Sequence, residues 1–161
     1  IIIYNIPSRS VIDMSIETMT KLYELKNIIG VKDATGDLNR VDKQLKSMGK
    51  DFIQLTGNDD NALEFNKRGG VGSISVTANI AAKYCSEFQK ACEVDINKAK
   101  ELDEILQPVH TSMFIESNPS PVKYAASLLG LCSPEVRLPL VEVREETKIK
   151  ISGALKVAKL L

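Results

Sequence analysis

The chain has 161 residues, which is long enough for a domain with a substantial core. Its 43% hydrophobic and 26% charged residues are ordinary for a globular protein, and its longest apolar stretches are too short to span a bilayer. The 21 basic residues balance the 21 acidic ones, so the composition predicts no extended basic surface for nucleic acid or acidic lipid.

The first half of the chain alternates short apolar, β-branched segments with helical patterns. Four segments are predicted as strands, at residues 1–5, 28–33, 52–57 and 71–76. Helices are predicted between them, at residues 15–25 with Ser15 as the N-cap, at 39–48 ending at Gly49, and at 60–67 ending at Gly69. This order predicts parallel βα units.

After the fourth strand only helices are predicted, at residues 79–92, 96–114, 121–129 and 142–161. Four parallel strands fit either an open doubly wound sheet or a barrel. An open nucleotide-binding sheet needs a glycine-rich turn after its first strand, and residues 4–9 contain no glycine. Gly69, Gly70 and Gly72 adjoin the start of a strand, where a tight turn is the simpler interpretation.

The sequence therefore favours an α/β fold: the second half of a (β/α)8 barrel, followed by a helical C-terminal domain. A complete barrel of this type has about 250 residues. The chain also begins with Ile1 instead of methionine, so we expect it to be part of a longer protein. The expected domains are residues 1–93 for the barrel half and 94–161 for the helical domain.

The cysteine and histidine content indicates no metal site. Cys85, Cys92 and Cys132 are odd in number and lack the C-x-x-C spacing of a metal ligand set. Unpaired thiols fit a reducing compartment, so we expect a cytoplasmic protein. His110 has no second histidine to work with, and a structural role is the simpler interpretation.

Polar residues at the predicted strand ends are candidates for chemistry, because active sites of such barrels lie at that end. Lys32 follows an aliphatic run, and desolvation there would favour a neutral amine able to form a Schiff base with a ketone. Tyr4 could transfer protons, and Arg9 could hold a carboxylate. The alternatives are a lysine that extends to water, a packed aromatic ring and a surface arginine.

Five segments, in order along nearly the whole chain, resemble the dihydrodipicolinate synthase family of pyruvate-dependent Schiff-base lyases. They are YNIPSR at 4–9, GVKDATG at 30–36, LTGND at 55–59, GGVGSISVTAN at 69–79 and ESNPSPVK at 116–123. The resemblance implies condensation of pyruvate with aspartate semialdehyde to 4-hydroxy-tetrahydrodipicolinate, the first step of the lysine and diaminopimelate branch. It also implies a homo-oligomer, a tetramer by analogy, with no nucleic-acid or membrane partner.

Residue by residue, the resemblance implies that Lys32 forms the imine with pyruvate and that Tyr4 transfers protons. Arg9 would bind the carboxylate of the aldehyde substrate, while Gly57 and Ile74 would line the pyruvate pocket. No metal or organic cofactor is expected, because the Lys32 imine is itself the electron sink. Arg9 favours this branch over the sialic-acid lyases. Another pyruvate aldolase, such as N-acetylneuraminate lyase, and a catalytically incomplete fragment remain alternatives.

Overall fold

The computed structural model describes residues 1–161, whose contacts divide into two compact units, Ile1–Ser75 and Val76–Leu161. The fold is α/β, with eight helices and one parallel sheet of three strands. None of the eight helices combines the length and the apolar character that a membrane crossing requires. The boundary at residues 93 and 94, expected from the family, stays a prediction.

The first unit is built on three neighbouring parallel strands, β1 (Ile2–Asn5), β2 (Gly30–Asp33) and β3 (Ile53–Thr56). In their register Tyr4 is the Cα partner of Lys32, and Lys32 is the partner of Leu55. The helices of this unit are α1 (Pro7–Ser10), α2 (Ile16–Tyr23), α3 (Asn39–Met48) and α4 (Ala62–Lys67), the last preceded by a 3-10 turn at Asp59–Asn61.

Local signals place two of these helices where the sequence predicts them. The Ser15 side chain accepts a hydrogen bond from the Thr18 backbone N–H at 3.2 Å, and α2 begins at the next residue. Helix α3 ends at Gly49, whose φ of +80° suits a residue without a Cβ atom. Helix α1 is not predicted, because four residues are too few to display helical periodicity.

The sheet separates the core of this unit from the candidate site. Successive side chains on a strand lie on opposite faces. Ile3 and Val31 pack into a core that also contains Met19, Met48 and Phe52. Tyr4 and Lys32, their immediate neighbours along the strands, therefore lie on the opposite face.

The fourth predicted strand, at residues 71–76, is wrong. The segment runs beside β3, with the Val71 N–H donating to the Gln54 carbonyl at 2.9 Å, but only Ser73 forms a bridge, with Thr56. Gly72 has a φ of +153°, which interrupts an extended strand, and Val76 has already turned to a helical backbone. The sheet therefore has three strands.

The second unit is helical, as predicted. A 3-10 turn at Thr77–Asn79 precedes α5 (Ala82–Val94), α6 (Ile96–Ser112), α7 (Ser120–Leu128) and α8 (Glu145–Val157). Helix α6 packs against both α5 and α8, and α7 packs against α8. The core of this unit includes the fully buried side chains of Val109, Met113, Ala125, Ile151 and Leu155.

The single histidine and the cysteines lie in this second unit. His110 is buried, and its Nδ1 atom lies 2.7 Å from the hydroxyl oxygen of Thr77. The three cysteines are free thiols; Cys85 and Cys92 are half-buried and Cys132 is exposed.

Candidate active site at the strand ends

Tyr4 and Lys32 are brought together by the register of the sheet. They are Cα partners on the adjacent strands β1 and β2, one residue before each strand ends. The Lys32 Nζ atom lies 3.9 Å from the centroid of the Tyr4 ring, which is a cation–π distance. Lys32 is half-buried and Tyr4 is 49% exposed, so a small molecule can reach both.

Gly57, immediately after β3, lies directly beside the stem of Lys32. Its N–H donates to the Asp33 carbonyl at 2.7 Å, which brings the two chain segments close together. A Cβ atom at position 57 would lie 2.8 Å from the Ala34 Cβ and 3.1 Å from the Lys32 Cε. A glycine at position 57 therefore leaves room for the Lys32 side chain.

Ile74 and Arg9 lie on segments that adjoin the same strand ends. The Ile74 N–H donates to the carbonyl of Thr56, the last residue of β3, at 3.0 Å, and its side chain is 46% exposed. Arg9 is exposed on α1, the short helix that directly follows β1. The structure thus places these two residues at the same edge of the sheet, whereas Tyr4 and Gly57 lie directly beside Lys32.

A buried ion pair lies directly behind the site, on the helix side of the sheet. Asp33, the residue after Lys32, accepts hydrogen bonds from the Arg40 Nε at 2.9 Å and from the Thr35 hydroxyl at 2.6 Å. The Arg40 Nη2 donates to the Met14 carbonyl at 2.8 Å, and its Nη1 lies 3.3 Å from the Asp13 carboxylate. This network fixes the end of β2 against α3 and the loop after α1.

Asn5 extends the network to the end of β1. Asn5, the residue after Tyr4, is 3% exposed; its amide donates to the Asp13 carboxylate at 2.8 Å and accepts from the Met14 N–H at 3.1 Å. The roles of Asn5, Asp13, Asp33 and Arg40 are not predicted from the sequence. A signal existed in α3, where Arg40 and Gln44 are spaced four apart with Met48 on one buried face.

No group of three or more His, Cys, Asp or Glu side chains is arranged to hold a metal ion. The candidate reactive groups at the strand ends are one amine, one phenol and one exposed guanidinium, carried by Lys32, Tyr4 and Arg9. An amine, a proton donor and an anion-binding cation are the groups required for imine chemistry on a keto acid.

Comparison with known proteins identifies the family. The model of the dihydrodipicolinate synthetase family matches residues 1–158. The chain belongs to this family. The 4-hydroxy-tetrahydrodipicolinate synthase of Pelagibacter ubique is 70% identical over 165 residues, covering 100% of this chain and 56% of that protein. The synthase of Parvibaculum lavamentivorans is 54% identical over 162 residues, covering 100% of this chain and 56% of that protein.

Solved structures of dihydrodipicolinate synthases share the fold. The enzyme from Aquifex aeolicus superposes with a TM-score of 0.95 at 38% identity, covering 99% of this chain and 55% of that one. The chloride-inhibited enzyme from Acinetobacter baumannii, solved in complex with pyruvate, gives the same TM-score, identity and coverage. The chain thus spans about 56% of the length of the curated relatives it matches.

Proposed function

We propose that this chain carries the Schiff-base lysine, Lys32, of a 4-hydroxy-tetrahydrodipicolinate synthase. The observation that carries the proposal is the pairing of Lys32 with Tyr4, whose ring lies 3.9 Å from Nζ, beside the space left by Gly57. Membership of the family and the names of relatives up to 70% identical support the same activity.

In the proposed reaction, the Lys32 amine adds to the C2 ketone carbon of pyruvate. The ketone oxygen leaves as water with both amine protons, and a carbon–nitrogen double bond forms in its place. Tyr4 supplies and removes protons at the nitrogen and oxygen during this exchange. Its position opposite Lys32 on the neighbouring strand supports that role.

The imine then acts as an electron sink. Once the imine nitrogen is protonated, loss of a proton from the pyruvate methyl carbon gives a neutral enamine. This carbon attacks the aldehyde carbon of aspartate semialdehyde, whose oxygen takes up a proton and becomes a hydroxyl. The amino group of the substrate next replaces the Lys32 nitrogen at C2, which closes the ring, releases the product and regenerates Lys32. No metal or organic cofactor is needed in this scheme.

Arg9, Gly57 and Ile74 would bind the substrates. Arg9 offers a planar, always charged guanidinium that suits the carboxylate of aspartate semialdehyde. Its place on the helix directly after the Tyr4 strand supports this assignment. Gly57 would let pyruvate approach Lys32 closely, and the Ile74 backbone beside the end of β3 would form another wall of the pyruvate pocket.

We further propose that residues 1–93 form the second half of a (β/α)8 barrel and that residues 94–161 form a helical domain that follows it. Support comes from the three parallel strands and from Ile2, Tyr4 and Ile74, which are 39 to 49% exposed. Such residues suit an interior that further strands would enclose. A homo-oligomeric, tetrameric assembly and a cytoplasmic location remain predictions from the family resemblance and the free thiols.

A comparison of turnover with two candidate substrates tests this function. The full-length protein is incubated with pyruvate and either aspartate semialdehyde or N-acetylmannosamine, and pyruvate consumption is followed. We expect turnover with aspartate semialdehyde and none with the amino sugar. Turnover with the amino sugar alone would reassign the protein to the N-acetylneuraminate lyases, and turnover with neither would refute both pyruvate-aldolase hypotheses.

A further inference from the structure

Arg40 is the central residue of the buried network behind the candidate site. Its guanidinium contacts two separate parts of the chain: Asp33 at the end of β2, and the loop residues Asp13 and Met14 that follow α1. The Nε, Nη1 and Nη2 atoms each have a different partner. A planar guanidinium, with N–H donors on all three of its nitrogens, can bind these three partners at once, whereas a lysine ammonium cannot reproduce this geometry.

Burial makes the contact between Arg40 and Asp33 a strong constraint. The side chains of Arg40 and Asp33 are 10% and 5% exposed, whereas that of Asp13 is 53% exposed. Removing one partner of a buried ion pair leaves the other charge uncompensated in a poorly solvated place. The pair therefore holds α3 and the end of β2 in one arrangement.

Both ends of this network lie next to a residue of the proposed site. Asp33 directly follows Lys32, and its carbonyl accepts the Gly57 N–H at 2.7 Å. Asn5 directly follows Tyr4 and is bonded to both Asp13 and Met14. A continuous path of hydrogen bonds and ion pairs thus joins the residue after Tyr4 to the residue after Lys32.

We propose that Arg40 is a positioning residue that holds Tyr4 and Lys32 at the separation required for imine formation. It acts through Asp33 on one side and through Asp13, Met14 and Asn5 on the other. This inference rests on the proposed function of Lys32. A displacement of about 1 Å between reacting groups can slow a reaction about 100-fold.

The test compares two conservative substitutions, Arg40→Lys and Arg68→Lys, in the full-length protein. Arg68 is a matched control. It donates to Asn39 and Asp42, which lie on α3 as Arg40 does, but these contacts are exposed to solvent. Each variant is mixed with pyruvate and quenched with borohydride at a series of times. Mass spectrometry then gives the rate of adduct formation and its final number per chain.

For Arg40→Lys we expect the rate of adduct formation to fall at least about tenfold, while the final adduct still approaches one per chain. Arg68→Lys should match the unsubstituted protein in both quantities. A purely structural role for Arg40 predicts a different result: fewer chains that react, at an unchanged rate per reactive chain. That result, or an unchanged rate in Arg40→Lys, would overturn the inference.

A charge-neutral pair of substitutions keeps the test valid if single variants fold poorly. Arg40→Met with Asp33→Asn removes both buried charges, so folding should recover relative to Arg40→Met alone. The adduct should still form slowly, because the link between the strand ends is absent; recovery of the full rate would refute the inference. Absence of any adduct in the unsubstituted protein would instead refute the proposed function on which the inference rests.

Discussion

Replacement of Gly57 by alanine tests whether the space beside Lys32 is as tight as the structure indicates. The backbone of Gly57 is not in the left-handed region, so alanine introduces no conformational strain there. The added methyl group would lie 2.8 Å from the Ala34 Cβ and 3.1 Å from the Lys32 Cε. The first contact is with a methyl group fixed to the backbone, and the second is with a flexible side chain.

The two contacts predict two separable effects. Ordinary van der Waals contacts of a Cβ begin at 3.4 Å, so position 57 and Ala34 must separate by more than half an ångström. Overpacking of this kind lowers the free energy of unfolding by about 1–3 kcal/mol. The Lys32 stem must also move by a few tenths of an ångström. That shift is carried to Nζ, and we expect pyruvate adduct formation to slow about tenfold.

The assays are urea unfolding for stability and borohydride trapping with pyruvate for the reactivity of Lys32. In the double variant Gly57→Ala with Ala34→Gly, the first contact is removed and the second remains. Stability should therefore recover in large part while adduct formation stays slow. Gly153→Ala is the control, because its Cβ meets no atom within 4 Å. In helix α8 it should raise the free energy of unfolding by about 0.5–1 kcal/mol without changing trapping.

Normal trapping by Gly57→Ala with reduced stability would refute the assignment of Gly57 to the Lys32 pocket. Equal recovery of stability and trapping in the double variant would show that Lys32 is affected only through general packing. Unchanged stability in Gly57→Ala would contradict the close approach of the two strand ends.

Three further predictions concern other residues. Tyr4→Phe should reduce turnover about 100-fold by removing a positioned proton-transfer group, and unchanged turnover would remove Tyr4 from the mechanism. Arg9→Ala should raise the KM for aspartate semialdehyde more than that for pyruvate; a defect confined to pyruvate would contradict its role. The adjacent Thr147 side chain, together with a hydrogen bond from the Arg144 N–H, lowers the pKa of Glu116 below its ordinary value of 4.5. A lowered carboxyl pKa stabilises the folded state above the unfolded-state value, and the effect is lost as the pH falls through the folded-state value. Glu116→Gln should therefore unfold more easily than the unsubstituted chain at pH 7, and the difference should shrink below pH 4.5 in thermal unfolding scans. A difference independent of pH would contradict this.

Features set by neighbouring residues could be predicted from the sequence. The bounds of α3 and the Ser15 cap are confirmed because a cap or a terminal glycine acts within a few residues. The meeting of Tyr4 and Lys32 also followed from the sequence, since parallel strands place their ends at one edge. What could not be predicted was that these two residues would lie side by side in register.

Features set by distant partners were missed. Residues 71–76 have the composition of a strand, but pairing with β3 depends on tertiary contacts, and Gly72 interrupts it. Arg40 resembles a surface charge in a polar helix, because its partners Asp33 and Met14 lie 7 and 26 residues away in the sequence. Arg40 is buried because β2 and the loop after α1 pack against its side chain in the folded chain.

The central claim is that Lys32 forms an imine with pyruvate. The most direct measurement is peptide mapping of the full-length protein after treatment with pyruvate and borohydride, alongside Lys32→Ala treated in the same way. We predict one reduced pyruvate per chain, located on the peptide that contains Lys32, and no adduct in Lys32→Ala. An adduct on another lysine, or none in well-folded unsubstituted protein, would contradict the account.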